Sequence, residues 1–274
     1  MKRYFTFVLL SSFIVSGLRA QSFEQCRDSL KTMMEQINAS KDIPQKNALM
    51  NNFTRYFAQV LQQENAMNYA FDSIPAVGKV LAENGRVRIF TWTMPTAWGR
   101  YQYYGIVQWK ENEKLYTLLL DDQKRMRENP EQESFIAPDW HGALYYQMVE
   151  KQHQGRNYYL LIGFDFNNSI SYKRTVELLV FEDGQPVFGI PVLSDGEKKV
   201  CRLIFEYTAE AQFFLRYLPS RDMVVFNRLM PQRPELQGDK RFYVPSEICD
   251  ALQFLDGQWK YVEDVQISAA DMRN

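Results

Sequence analysis

The sequence predicts an α+β chain that is mainly β: an N-terminal helical segment followed by a large antiparallel β-meander, built as a curved sheet, a barrel or a sandwich. Three observations carry this. Apolar residues recur at steps of three and four as far as Leu61. The helical period is gone after Asn84-Gly85. Beyond it come short runs rich in aromatic and β-branched residues, separated by turn chemistry that includes Asp-Gly pairs. The expected divisions are 1–20 as a secretory signal, 21–83 as the helical segment and 84–274 as the β domain.

Lys2 and Arg3 precede an apolar run from Phe5 to Val15, and Ser16, Gly17, Leu18, Arg19 and Ala20 stand before Gln21. A charged start, an apolar stretch and a small residue before the cut are the ordered parts of a cleavable signal, so cleavage is expected after Ala20. The apolar run is about 11 residues, against the roughly 20 that cross a bilayer as a helix. No later stretch approaches about 18 uninterrupted apolar residues, so the mature chain is expected to be periplasmic or extracellular with no transmembrane segment. Cys26 lacks the small-residue box that precedes a lipidated cysteine, so no lipid anchor is expected. Losing Lys2, Arg3 and Arg19 takes the formal charge from −1 to −4. That is a poor balance for nucleic acid, whose affinity comes mainly from Lys and Arg on phosphates.

Phe23, Cys26, Leu30, Met33, Met34 and Ile37 lie on one face of a first helix. Asp42 caps a second, with Gln45 three residues on and Pro44 tolerated in the first turn. Its stripe is Leu49, Met50, Phe53, Tyr56, Phe57, Val60 and Leu61. Strands are expected at 86–94, 100–110, 114–120, 143–151, 156–164, 173–182, 185–192, 198–207, 211–218, 222–229, 251–255 and 258–265. Asp183-Gly184, Asp195-Gly196 and Asp256-Gly257 fall between runs, where hairpins favour residues that accept positive φ. The polar stretches 121–142 and 230–250 read as long loops able to carry a site. Cys201 shares a strand face with Leu203, Phe205 and Tyr207, which fits a buried free thiol; a Cys201–Cys249 disulfide is the alternative.

Several segments resemble uncharacterised exported proteins of the Bacteroidota: RIFTWTMP at 88–95, NYYLLIGFDFNN at 157–168, VELLVFEDGQPVFG at 176–189, RLIFEYTAEAQFFLRYLP at 202–219, VVFNRLMP at 224–231 and LQFLDGQWKYVEDVQ at 252–266. The resemblance implies compartment and fold, and no activity or site residue comes with it. In that lineage Asp28-Ser29-Leu30 and Asp72-Ser73-Ile74 resemble the short Asp-Ser/Thr-apolar sites of O-glycosylation.

Reactive constellations are scarce. His141 and His153 are the two histidines, and neither has a cysteine or histidine at metal-ligand spacing. His153 falls in His-Gln-Gly-Arg, a hairpin turn. There is no Gly-x-Ser-x-Gly elbow and no glycine-rich phosphate loop. Asp165, Asn167 and Ser169 alternate like half a calcium loop, but Ile170 and Val176 stand where Gly and Glu are needed. Asp121 and Asp122, adjacent on a strand, point to opposite faces. No catalytic residue, metal or cofactor is therefore expected.

The functional reading is a non-enzymatic exported protein that binds a glycan, a peptide or an envelope protein. A secreted hydrolase assembled from separate loops is the alternative, with Asp139 and His141 as its participants. Trp92, Trp98, Tyr101, Tyr103, Tyr104 and Trp109 crowd the first hairpin, and aromatic planes suit sugar rings or partner anchors. Strand alternation puts Tyr101, Tyr103 and Trp109 on one face and Tyr104 on the other. Trp98, in a turn, and Trp140, beside Asp139 and His141 in a long loop, are free of that constraint, and either face a ligand or close the ends of the core. Trp98, Tyr101, Tyr103, Asp139, Trp140 and His141 are thus the candidate ligand-binding residues.

Overall fold

The computed structural model describes residues 21–96, 99–123, 127–268 and 271; the expected signal and Trp98 lie outside them. Two N-terminal helices precede 17 strands in three mostly antiparallel sheets, none closed into a barrel. Among the described residues no helix is long and apolar enough to cross a membrane.

Helix α1 (Phe23–Ala39) starts with a reciprocal capping box, in which the Gln25 amide donates to Ser22 Oγ at 3.2 Å and the Ser22 amide to Gln25 Oε1 at 3.0 Å. Helix α2 (Ile43–Leu61) starts at Asp42, whose Oδ1 accepts from the Gln45 amide at 2.8 Å. The Gln45 side chain accepts from Ser40 instead of returning to Asp42, so only half of the reciprocal pair forms there. The apolar stripes bury Leu30, Met34, Phe53 and Phe57 against Phe90, Trp92, Met94 and Ile106 of the first sheet. Arg88 is enclosed in this layer, donating to the carbonyls of Ala66 and Tyr69 and to Gln108 Oε1. These three acceptors satisfy a cation that burial penalises.

The first sheet runs β1 (Gly78–Leu81), β2 (Val87–Pro95), β3 (Tyr101–Glu111), β4 (Lys114–Asp122) and, parallel to β4, β6 (Asp139–Trp140). The second orders β5 (Phe135–Ile136), β10 (Gln185–Phe188), β9 (Ser171–Glu182), β8 (Arg156–Asp165) and β7 (Leu144–His153), with β13 (Arg202–Thr208) also paired to β9. The third orders β12 (Lys199–Val200), β11 (Leu193–Ser194), β17 (Gln258–Val262), β16 (Tyr243–Leu255), β15 (Met223–Pro231) and β14 (Leu215–Leu218). Asp183-Gly184 and Asp256-Gly257 have φ of 49° and 74°, and 52° and 76°, the paired positive values of a tight two-residue hairpin turn.

The second sheet is the middle layer. Tyr159, Leu161 and Leu179 pack against Ile89, Tyr103 and Val107 of the first sheet, while Leu160, Ile162 and Leu178 pack against Val224, Phe226 and Leu252 of the third. Strands covered on both faces favour apolar side chains on both, and 158–163 and 175–180 are buried without alternation, with Glu177 accommodated by its pair with Arg202.

Several expected boundaries move. The first strand begins at Gly78, ahead of Asn84, because Gly-Lys-Val-Leu pairs with β2. The stretch 230–250, read as loop, contributes to β16 from Tyr243 onward. The stretch 121–142 contains two two-residue strands, β5 and β6. The run 198–207 breaks at Cys201, where the chain leaves the third sheet and joins the second. All three cysteines are free and buried, with no Cys201–Cys249 disulfide.

Candidate functional site: an arginine and tyrosine groove

The residues singled out from the sequence sit largely in the interior. Trp140 is fully buried and donates from Nε1 to the Tyr145 hydroxyl at 2.8 Å. That hydroxyl donates to Glu177 Oε1 at 2.5 Å, and Glu177 pairs with Arg202 at 3.0 Å, both side chains being wholly enclosed. Tyr103 is buried too, its hydroxyl donating to Asp165 at 2.8 Å and accepting from the Phe166 amide. Tyr101 is half-buried and stacks on Phe166 with centroids 4.7 Å apart. Side chains on both faces of β3 meet a neighbouring layer: Tyr104 packs against the helical layer, and Tyr101, Tyr103 and Trp109 against the second sheet.

Asp139 accepts from Arg127 at 3.2 Å, and His141 is buried 6.3 Å from the Phe135 ring, centre to centre. Asp139 is thus committed to Arg127. Ser29, on α1, donates to the Gln25 carbonyl, and Ser73 is exposed at φ 67° in a loop.

Sequence reasoning did not single out the groove where the second and third sheets part. It holds about 520 Å³ and is lined by Tyr146 and Gln147 of β7, Arg174 of β9, and Phe214, Arg216 and Tyr217 on or beside β14. Tyr146 enters it through a bulge. In the β7–β8 ladder Tyr145 faces Gly163 and Gln147 faces Ile162, leaving Tyr146 as the extra residue. Such an insertion breaks the alternation of the strand and re-aims one side chain. Tyr146 remains 41% exposed as a residue, while its hydroxyl donates to the Leu215 carbonyl at 2.9 Å.

Among the described residues the two arginines have no carboxylate partner. On β9, Arg174 stands between Phe164 of β8 and Phe205 of β13 in register, and Arg216 stands opposite Val225. The Arg174 guanidinium lies 4.8 Å from the Phe164 centroid and 5.0 Å from that of Tyr146, and Arg216 lies 5.8 Å from Phe214. Among the described residues neither arginine has an ion-pair partner, and Arg174 Nε is buried without a hydrogen bond. The neighbouring acids are taken: Glu206 by Lys173 and Asp222 by Lys151. Burial pushes the Tyr146 phenol up to about 12 although both guanidiniums pull it down, so it stays a neutral donor.

A second cavity, about 230 Å³ and lined by Phe205, Phe226, Tyr243 and Tyr261, shows the contrast. Apart from Lys240, its charged and amide groups are engaged within the fold. Arg228 is held by Asp250 and Asp264, Asn227 bonds the Phe214 amide and the Ser246 carbonyl, and Glu206 accepts from Ser171 and Asn167. The larger groove differs in carrying two guanidiniums, whose planar forks suit a planar anion better than the single ammonium of Lys240 does.

No family model, curated protein or solved structure matches the chain.

The signal for this site was present in the sequence but not decodable from it. Arg174 and Arg216 occur in SYKRTV and FFLRYLP, with Lys173, Glu177 and Asp222 nearby. Only strand register reveals that those acids face elsewhere.

Proposed function

We propose that this is an exported, non-enzymatic binding protein that holds an anionic ligand in the groove between its second and third sheets. One observation carries the reading: among the described residues Arg174 and Arg216, flanking Tyr146, have no carboxylate within ion-pair reach, while arginines elsewhere, such as Arg202 and Arg228, have theirs. Both side chains are half-buried beside aromatic rings, so their guanidinium donors are accessible to an anionic ligand. The ordered basic, apolar and small-residue segment at 1–20 supports export, and the ligand classes open to such a protein are a glycan, a peptide or an envelope partner. The hydrolase alternative has no comparable support, since Asp139 is committed to Arg127 and His141 is buried.

The test uses small anions. In titrations with acetate, glucuronate, sulfate and phosphate followed by amide NMR, shifts are expected at Tyr146, Gln147, Arg174 and Tyr217, and are expected to vanish in Arg174→Gln with Arg216→Gln. Shifts that map away from the groove, or that survive both substitutions, would refute the reading.

A further inference from the structure

We infer that the anion is carried on a sugar ring, so that the occupant of the groove is an acidic oligosaccharide bearing carboxylate or sulfate groups. This rests on the anion-binding reading above and narrows it.

A peptide would bind such a place most readily by adding a strand to an open sheet edge, through main-chain hydrogen bonds. The edge on offer here is β14, and its groups are already used. The Leu215 carbonyl accepts from the Tyr146 hydroxyl, the Tyr217 amide donates to Gln147 Oε1 at 2.9 Å, and the Tyr217 carbonyl accepts from Gln147 Nε2 at 3.3 Å. Side chains of β7 have sealed the edge that an extended peptide would need. What remains open is of a different kind: guanidinium forks and ring surfaces.

Those surfaces are arranged for a flat, partly apolar ligand. Tyr146 is 41% exposed as a residue, and Phe214, Tyr217 and Pro219 continue the lining. Tyr217 is fixed from behind, its hydroxyl bonded to Asp222 and Lys151, with the Lys151 ammonium 5.4 Å from its ring centroid. A pyranose presents an apolar C–H face that packs on an aromatic plane, while an equatorial carboxylate or sulfate reaches a guanidinium bidentately. A volume of about 520 Å³ also exceeds what an isolated inorganic anion requires and falls in the range of sites for larger organic ligands.

The experiment is isothermal titration calorimetry on the mature chain with four tetramers of equal length: galacturonate, chondroitin sulfate, neutral galactose and aspartate peptide. At least one acidic sugar is expected to bind about tenfold or more tightly than both the neutral sugar and the peptide, and the stronger of the two identifies the anion. Arg174→Gln and Arg216→Gln are each expected to weaken it about tenfold, as loss of a charge-assisted hydrogen bond does. Tyr146→Leu is expected to erase the preference for sugar over peptide. Arg216, on the half-buried edge strand, supplies an independent variant if Arg174→Gln lowers the unfolding temperature. An aspartate tetramer that binds as tightly as the acidic sugars overturns this inference while leaving the anion groove in place. A neutral tetramer that matches them overturns it by showing that charge is not read. Binding by none of the four, with small anions still shifting the groove, also overturns it, whereas silence in both experiments overturns the parent reading.

Discussion

Arg202 and Arg174 occupy neighbouring strands of one sheet, yet their surroundings are opposite. Arg202 on β13 has Glu177 directly across the ladder, and its Nη1 donates to the carbonyls of Pro130 and Glu133, while Nη2 lies 3.0 Å from Glu177 as an ion pair without a well-directed hydrogen bond. Phe135 lies 4.3 Å from its guanidinium carbon and seals it between the sheets. Arg174, three residues before Glu177 on β9, points to the other face and meets Phe164 and Tyr146 instead of an acid. One arginine is given a carboxylate by the fold, and the other lines the groove with no ion-pair partner among the described residues. An enclosed pair specifies how sheets meet; an incomplete one is available to something else.

The largest effects should come from breaking the completed side of this comparison. Glu177→Ala strands a buried guanidinium and is expected to cost about 3–5 kcal/mol in denaturant unfolding. Trp140→Ala removes a fully buried ring along with the donor to Tyr145 and is expected to cost about 3–5 kcal/mol. A loss below about 1 kcal/mol for either would mean that the interior network contributes little and that the contrast with Arg174 is weaker than drawn.

A smaller effect is expected in acid. Burial opposes ionisation of Asp250, but hydrogen bonds from Arg228, Tyr261 and the Asp264 amide bring its carboxyl below the usual range. A carboxylate depressed in the folded state adds stability above its unfolded pKa of about 3.9, and that contribution is lost as pH falls through the folded value. Unfolding midpoints are therefore expected to drop below about pH 4, and Asp250→Asn to flatten that part of the profile.

Smaller still is the expected pH dependence of anion binding. Burial pushes Tyr146 up to about 12, Tyr217 is raised by burial and by its bond to Asp222, and Asp222 is lowered by Lys151. None of these groups changes charge between about pH 5 and 9, so affinity for a fully ionised ligand measured by calorimetry should be constant there. A midpoint near about pH 6.5 would place a histidine in the site and contradict the assignment.

The helices were legible because caps and a 3.6-residue period are local signals: Ser22, Asp42 and the stripe from Leu49 to Leu61 need no tertiary information. Strand positions were legible for similar reasons, from Asp183-Gly184 and Asp256-Gly257 onward. What failed was the assumption that a strand has one wet face. Tyr103 and Tyr104 alternate as expected, but each meets a covering layer, so alternation divided two cores instead of separating core from ligand face. Continuous apolar runs such as Tyr-Tyr-Leu-Leu-Ile at 158–162 were the sequence trace of that layering. The groove was hidden for another reason: a one-residue bulge at Tyr146 and the register of Arg174 against Phe164 are properties of pairing between distant segments.

The side-chain Nε–Hε resonances of the arginines report the contrast most directly, because Arg174, Arg216 and Arg202 can each be assigned by substitution and followed in one nitrogen-15 titration with galacturonate or sulfated tetramer. The Arg174 and Arg216 signals are expected to shift together and saturate at a common concentration, while Arg202, held by Glu177, stays in place. Saturable binding during which Arg174 and Arg216 do not move, or in which Arg202 moves as far as they do, would contradict the division between a completed arginine and an open one.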